Sequence, residues 1–150
     1  MARDNFVQIV GSVGQDPELR FTTGGIAVAS FSVAWTPRKN VDGEWKDGET
    51  SWFRCTAWRD MAENVAASVT KGMRVVVSGS VLARDWEDNE GNKRTSIEIQ
   101  VDEVAPSLRW AQAQVERTTR EKSTGENRQA SSGGGTSGQG YDYPDSEEPF

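Results

Sequence analysis

The segment TSWFRCTAW at 50–58 constrains the fold more than any other stretch of the chain. Side chains alternate between the two faces of an extended strand, so Trp52, Arg54, Thr56 and Trp58 share one face while Phe53, Cys55 and Ala57 share the other. The second set is small and buriable and reads as core. The first is two indoles interleaved with a guanidinium, a set built to be presented.

Four further segments supply the rest of a sheet. NFVQIVGSV at 5–13 puts Val7, Ile9 and Val13 on one face and Phe6 and Val10 on the other, as in a barrel strand that also packs against a neighbour. Asp16, Pro17 and Gly24-Gly25 then punctuate the chain before AVASFSVAW at 27–35, the second strand. RVVVSGSVLA at 74–83 reads as the fourth, and RTSIEIQVDEV at 94–104 as the fifth, with Ile97, Ile99 and Val101 pointing inward. Between the third and fourth strands, Asp60 and Glu63 have capping-box spacing, and Met61, Val65, Ala66 and Val69 recur at helical spacing before Gly72. That pattern predicts a helix over 61–70 plugging one end of the barrel.

Two polar stretches, PRKNVDGEWKDGE at 37–49 and 84–93, predict long hairpin arms carrying Trp45 and Trp86, the second turning at Asn89-Glu90-Gly91. Five strands, a helix between the third and fourth, and two arms describe an all-β, five-stranded OB-fold barrel. APSLRWAQAQVERTTR at 105–120 is ambiguous between a short helix and an extended arm. Beyond it the chain is nearly devoid of apolar residues, which predicts a disordered C-terminal tail. The expected organisation is a barrel domain over 1–110, an extension over 111–120, a flexible Gly/Ser linker over 121–140 and an acidic tip over 141–150. In that tip Asp145, Glu147 and Glu148 precede Pro149-Phe150, a composition suited to docking on a basic groove with an apolar pocket.

Charge narrows the function. The chain has 17 basic and 23 acidic residues, a net charge of −6, so any nucleic-acid surface must be local. Up to Trp110 there are 13 basic and 16 acidic residues, and after it 4 and 7, so half of the net negative charge lies in the tail. A single cysteine and no histidine exclude the usual zinc and Cys-His constellations, leaving only a carboxylate magnesium site formally open. Glu98, Asp102 and Glu103 are neighbouring carboxylates, but strict alternation turns Glu98 and Asp102 away from Glu103, which disfavours a two-metal nuclease. We expect no metal, no cofactor and no enzymatic activity, and an inert core thiol at Cys55. MARDNFVQIVG holds no apolar run long enough for a signal peptide or membrane span, so a cytosolic protein is expected.

Six tryptophans are a heavy load for this length, and their places matter more than their number. Indoles along a groove can stack on the bases of a single strand whatever their identity. Trp52, Trp58, Trp86 and Trp45 are the candidates, with Trp35 at the end of the second strand a further one; packing in a core or subunit contact is the alternative for each. Arg54, Arg59, Arg38, Lys39, Arg84, Lys93 and Arg94 could meet phosphates or could be solvated surface. Gly24-Gly25 and the Gly11-to-Gly14 spacing lack the lysine and the strand-to-helix context of a phosphate loop and read as turn or bulge positions.

GSVGQDPELRFTTGGIAVASFSVAW, TSWFRCTAWRDMAENVAASVTKGMRVVVSGSVLARDW and the terminal DSEEPF together resemble the bacterial single-stranded-DNA-binding protein family, across residues 4–110. DEVAPSLRWAQAQVER resembles the branch from high-GC Gram-positive bacteria, which implies that the stretch after Val104 clamps neighbouring subunits. The resemblance implies a cytoplasmic, nucleoid-associated homotetramer with single-stranded DNA wrapped around four barrels. Its stacking aromatics correspond to Trp52, Trp58 and Trp86. The family's further arm aromatic has no counterpart at Pro37-Arg38-Lys39, where Trp35 or Trp45 can substitute. The tip would recruit replication, recombination and repair enzymes. The alternative is a protein-interaction or replication-restart accessory factor on the same barrel, binding DNA weakly.

Overall fold

The structure, a computed structural model, describes residues 4–119. Its elements run β1 (Phe6–Val13), β2 (Glu18–Phe21), β3 (Ala27–Trp35), β4 (Arg38–Val41), β5 (Glu44–Asp47), β6 (Ser51–Trp58), α1 (Arg59–Ser68), β7 (Arg74–Glu87) and β8 (Lys93–Pro106). The sheet order β1-β7-β8-β6-β3-β2 closes into a barrel where Ser12 and Val13 of β1 pair with Ala34 and Val33 of β3. Neighbouring strands are antiparallel except β6 and β8, which meet in parallel at Arg54–Glu98, Cys55–Ile99 and Thr56–Gln100. The five expected strands are β1, β3, β6, β7 and β8, and the helix lies between the third and fourth of them, so the OB-fold reading holds. The short edge strand β2 was not expected: its four residues are all exposed, which leaves no alternation to read.

Period-two burial builds the core. Ala27, Ala29, Phe31 and Val33 of β3 meet Cys55 and Ala57 of β6, Val75 and Val77 of β7 and Ile99 of β8. Ala62 and Val65 of α1, followed by Val69, add the helix to this cluster, where it packs on β3 and β6. The Cys55 thiol is fully enclosed, and burial pushes it up to about 12.

Three expectations need correction. The helix starts two residues before the predicted 61–70 segment, and Asp60 is not its cap. Trp58 occupies the N-cap with no side-chain hydrogen bond, and Arg59 turns strand into helix in the left-handed region, at φ +57°. The second hairpin arm is present as expected, but its strands run past the predicted ends at 83 and 94, since β7 and β8 stay paired from Val75–Pro106 out to Glu87–Lys93 and carry the sheet beyond the barrel. Ile97 faces inward opposite Ala83, as alternation predicts, yet it lies on this overhanging ribbon and is 43% exposed. Ala105 and Pro106 finish β8, and residues 107–119 form neither helix nor strand.

Strict alternation also fails at one point on β8. Ser78 pairs with Glu103 and Gly79 with Val101, so Asp102 is an extra residue and the faces switch after it. Glu103 thereby shares a face with Glu98, contrary to the reading from sequence. A Cβ on Gly79 would collide with the Gln100 carbonyl oxygen, so the bulge requires glycine there.

Each arm ends in defined turn chemistry. Asp42 and Gly43, at φ +54° and +84°, make the two-residue turn between β4 and β5 with the positive φ values of type I′, and Asn40 Oδ1 accepts from the Gly43 N–H at 3.0 Å. In the other arm the expected turn around Gly91, at φ +82°, is organised by Asp88. Its carboxylate accepts from the Glu90 and Asn92 backbone N–H groups at 3.0 and 2.9 Å. Those bonds, that of Asn92 foremost, and the adjacent Arg94 hold Asp88 below the usual carboxylate range against a smaller opposing effect of burial.

The described residues up to Val115 form one compact unit. The expected linker over 121–140 and tip over 141–150, with Asp145, Glu147, Glu148, Pro149 and Phe150, lie outside the described residues. Among the described residues no helix is long and apolar enough to cross a membrane.

The bulge yields a test. Gly79→Ala should lower unfolding stability by about 1–3 kcal/mol in denaturant titration, because backbone must move to admit the methyl group. Gly24→Ala, whose nearest new neighbour is Thr22 Oγ1 at 3.8 Å, should change it by less than about 0.5 kcal/mol.

Candidate nucleic-acid interface

The face of β6 that points away from the core continues across three neighbouring strands. On β3, Ala34, Ser32, Ser30 and Val28 stand opposite Trp52, Arg54, Thr56 and Trp58. On β8, Glu98 and Gln100 stand beside Arg54 and Thr56, and on β7 Leu82 and Ser80 follow in the same rows. Arg84 and Trp86 continue that face of β7 onto the overhanging ribbon, opposite Ser96 and Arg94. One surface therefore carries Trp52, Trp58 and Trp86, at 60%, 45% and 49% exposure, together with Arg54, Arg84 and Arg94.

Two of the indoles are positioned by residues that the sequence reading did not single out for this purpose. Trp52 lies against Gly14, where an added Cβ would stand 2.5 Å from Cζ3 of the ring and 3.0 Å from Ser32 Oγ. Gly14 is thus neither turn nor bulge but the space the indole occupies. Gly11 likewise permits β1 to approach the Ala34 carbonyl on β3. Trp58 donates its Nε1–H to Gln100 Oε1 at 2.9 Å, which fixes the indole plane across the parallel seam. A recess beside Trp52, lined by Gln15, Glu18, Ser30, Ser32, Arg54 and Ser96, offers hydrogen-bonding groups next to the ring.

Carboxylates moderate the positive charge. Arg84 Nη1 is 3.8 Å from Glu98 Oε1, Arg94 Nε is 3.1 Å from Asp88 Oδ2, and Arg38 Nε is 3.5 Å from Asp47 Oδ1. The guanidinium of each pair is mostly exposed, so a polyanion can compete for it, and the Arg38–Asp47 pair, exposed on both sides, is worth at most about 1 kcal/mol. Arg59 follows Trp58 directly at the start of α1 and is exposed.

The remaining candidates are placed elsewhere. Trp45 is exposed on β5 opposite Asn40, on the same side of the first arm as Arg38, with Lys39 on the reverse side. Lys93 pairs with Glu87 and so faces away from Arg94. Trp35 continues the core-facing row of β3 past Val33 and lines a shallow recess with Gln8, Ile9, Val10 and Phe53, on the face opposite Trp52. Trp110 has two guanidinium groups near its ring, Arg74 at 4.8 Å and Arg109 at 5.2 Å from the ring centre. Among the described residues no three His, Cys, Asp or Glu side chains gather closely enough to hold a metal ion. What the face offers is aromatic stacking, charge and hydrogen bonding.

Residues 4–107 match the model of the single-strand binding protein family. Relatives named single-stranded DNA-binding protein include one from Paenarthrobacter aurescens, 51% identical over 142 residues, covering 93% of this chain and 81% of the relative. Another, from Mycobacterium tuberculosis H37Rv, is 55% identical over 122 residues, covering 80% and 74% respectively. Among solved structures, a small single-stranded DNA-binding protein from Streptomyces coelicolor superposes with a TM-score of 0.62 at 32% identity, over 69% of this chain and 94% of that one. The Plasmodium falciparum SSB in complex with single-stranded DNA superposes with a TM-score of 0.60 at 25% identity, over 71% and 97%. With its barrel matched throughout and its relatives more than half identical, the chain belongs to the single-strand binding protein family.

Proposed function

We propose that this protein binds and protects single-stranded DNA without strong sequence preference, stacking bases on its indoles and meeting phosphates with the guanidinium groups beside them. The observation that carries this reading is the single outer face on which Trp52, Trp58 and Trp86 stand exposed among Arg54, Arg84 and Arg94. Each stacked base is worth about 1–3 kcal/mol, so three platforms support useful affinity despite the net negative charge. Arg59 serves the strand next to Trp58. Trp45, with Arg38 and Lys39 on the first arm, extends the track, and Lys93 adds positive charge at the ribbon tip. Trp35 meets DNA only where the strand passes to the other face.

The working form is a homotetramer in the cytoplasm and nucleoid. Supporting this are apolar side chains that the lone barrel leaves at its surface, Phe6, Phe21, Leu108 and Trp110. Residues 111–120 clamp neighbouring subunits, 121–140 act as a flexible spacer, and the tip at 141–150 recruits replication, recombination and repair enzymes through Asp145, Glu147, Glu148, Pro149 and Phe150. Four tails around one DNA segment raise local partner concentration without new contacts. The protein acts passively and catalyses no reaction.

Titration with oligothymidylate should quench the tryptophan fluorescence strongly, saturate at a fixed nucleotide count per assembly and persist at high salt. Weak quenching, with affinity vanishing as salt rises, would favour the accessory-factor reading. Gly14→Ala should displace the Trp52 indole and weaken binding by several-fold, toward the loss of one stack, with the fold retained by circular dichroism. Deleting 145–150 should leave oligothymidylate affinity within about two-fold while abolishing capture of partner enzymes; lost DNA binding in that variant would refute the division of labour.

A further inference from the structure

One residue on the stacking face is out of keeping with its neighbours. Glu98 points outward on β8, in the row of Arg54 and Leu82, yet only 5% of it is exposed. Its recorded ion-pair partner, Arg84, is 3.8 Å away with a side chain 68% exposed. A carboxylate withdrawn from water and paired at such length with a largely exposed cation is weak evidence for stability, because its desolvation offsets the attraction. Packing therefore gives no reason for the charge. Its location does: the anion lies beneath the cations of the surface on which a polyanion is to bind.

We propose that Glu98 is a positioning residue, a counterion built into the DNA-binding face that holds Arg84 over the sheet in the free protein and yields it to a phosphate when a strand arrives. The inference rests on the single-strand-binding reading above. In the free state Glu98 neutralises one unit of charge on the Trp face and tethers a side chain that would otherwise sample many rotamers. On binding, the phosphate displaces a protein carboxylate from Arg84 instead of releasing a salt ion. Affinity at low salt is thereby lowered, and so is its dependence on salt, which suits a protein that must let strands go as well as hold them.

The decisive measurement is the slope of log affinity against log salt concentration for oligothymidylate, by tryptophan quenching, on the full chain. Glu98→Gln should bind at least about three-fold tighter at low salt, the effect of removing one unit charge a few ångström from a phosphate. Its salt slope should steepen by about 0.7, one phosphate's worth for a single strand. Glu98→Asp, which keeps the charge and alters the shape, should restore the shallower slope, an outcome that a packing role would not produce. Adding Arg84→Gln to Glu98→Gln should remove the increment; because that double variant eliminates both partners of the pair, it also decides the matter if Glu98→Gln alone folds poorly. An unchanged slope in Glu98→Gln, or a double variant whose slope falls well below that of the unmodified chain, overturns the proposal. An unmodified chain that fails to quench at any salt would instead overturn the single-strand-binding reading, and this inference with it.

Discussion

The parallel seam between β6 and β8 is the contact on which the rest of the molecule depends. It consists of three residue pairs, Arg54–Glu98, Cys55–Ile99 and Thr56–Gln100, against thirteen between β7 and β8. Without it the strand bearing Trp52 and Trp58 and the ribbon bearing Trp86 would be joined only the long way round, through β3 and β1. With it, the middle pair seals the core while the outer two lay a guanidinium, a carboxylate and an amide across the join. Closure of the barrel and continuity of the stacking face are therefore one structural event. The hydrogen bond from Trp58 to Gln100 crosses the same seam, so the orientation of that indole depends on the strands being in register.

In the proposed function, the Trp-bearing face explains how a protein of net negative charge can offer a surface to a polyanion. Aromatic rings need no counterions, and their attraction to bases is little affected by salt. The cations Arg84 and Arg94 among them are partly occupied by Glu98 and Asp88, which limits long-range attraction while leaving charge available at contact. On the proposed reading, selectivity for single strands follows from geometry, because a base inside a duplex keeps its π-faces covered by its neighbours.

Much of this was legible in the chain itself, and what was not has identifiable causes. The faces of β6 could be read residue by residue, since strand alternation is local and its two sets differ sharply in chemistry. The same rule failed at Asp102, where a bulge imposed by the partner strand switches the faces and brings Glu103 round to the side of Glu98. It succeeded in direction and failed in burial at Ile97, because the end of a barrel is not a property of either strand alone. The Asp60–Glu63 spacing resembled a cap, but the tertiary path forces the helix to begin directly from Trp58 through a left-handed Arg59. Gly14 was misread as a turn or bulge position and Gln100 escaped notice, because their roles exist only between segments distant in sequence. Asp88 organises its turn, a role for which its place two residues before Glu90 and four before Asn92 was the available signal.

The buried thiol of Cys55 has a practical side. It is the one cysteine in the chain, and enclosure in the barrel withholds it from the thiolate state on which alkylation depends. A cysteine introduced at an arm tip would therefore be the sole ready target for a maleimide dye, with no need to strip the native residue from the core first. The fold thus supplies a background on which an environment-sensitive fluorophore can be attached at one chosen point, turning the protein into a reporter of strand exposure while its own tryptophans remain in place.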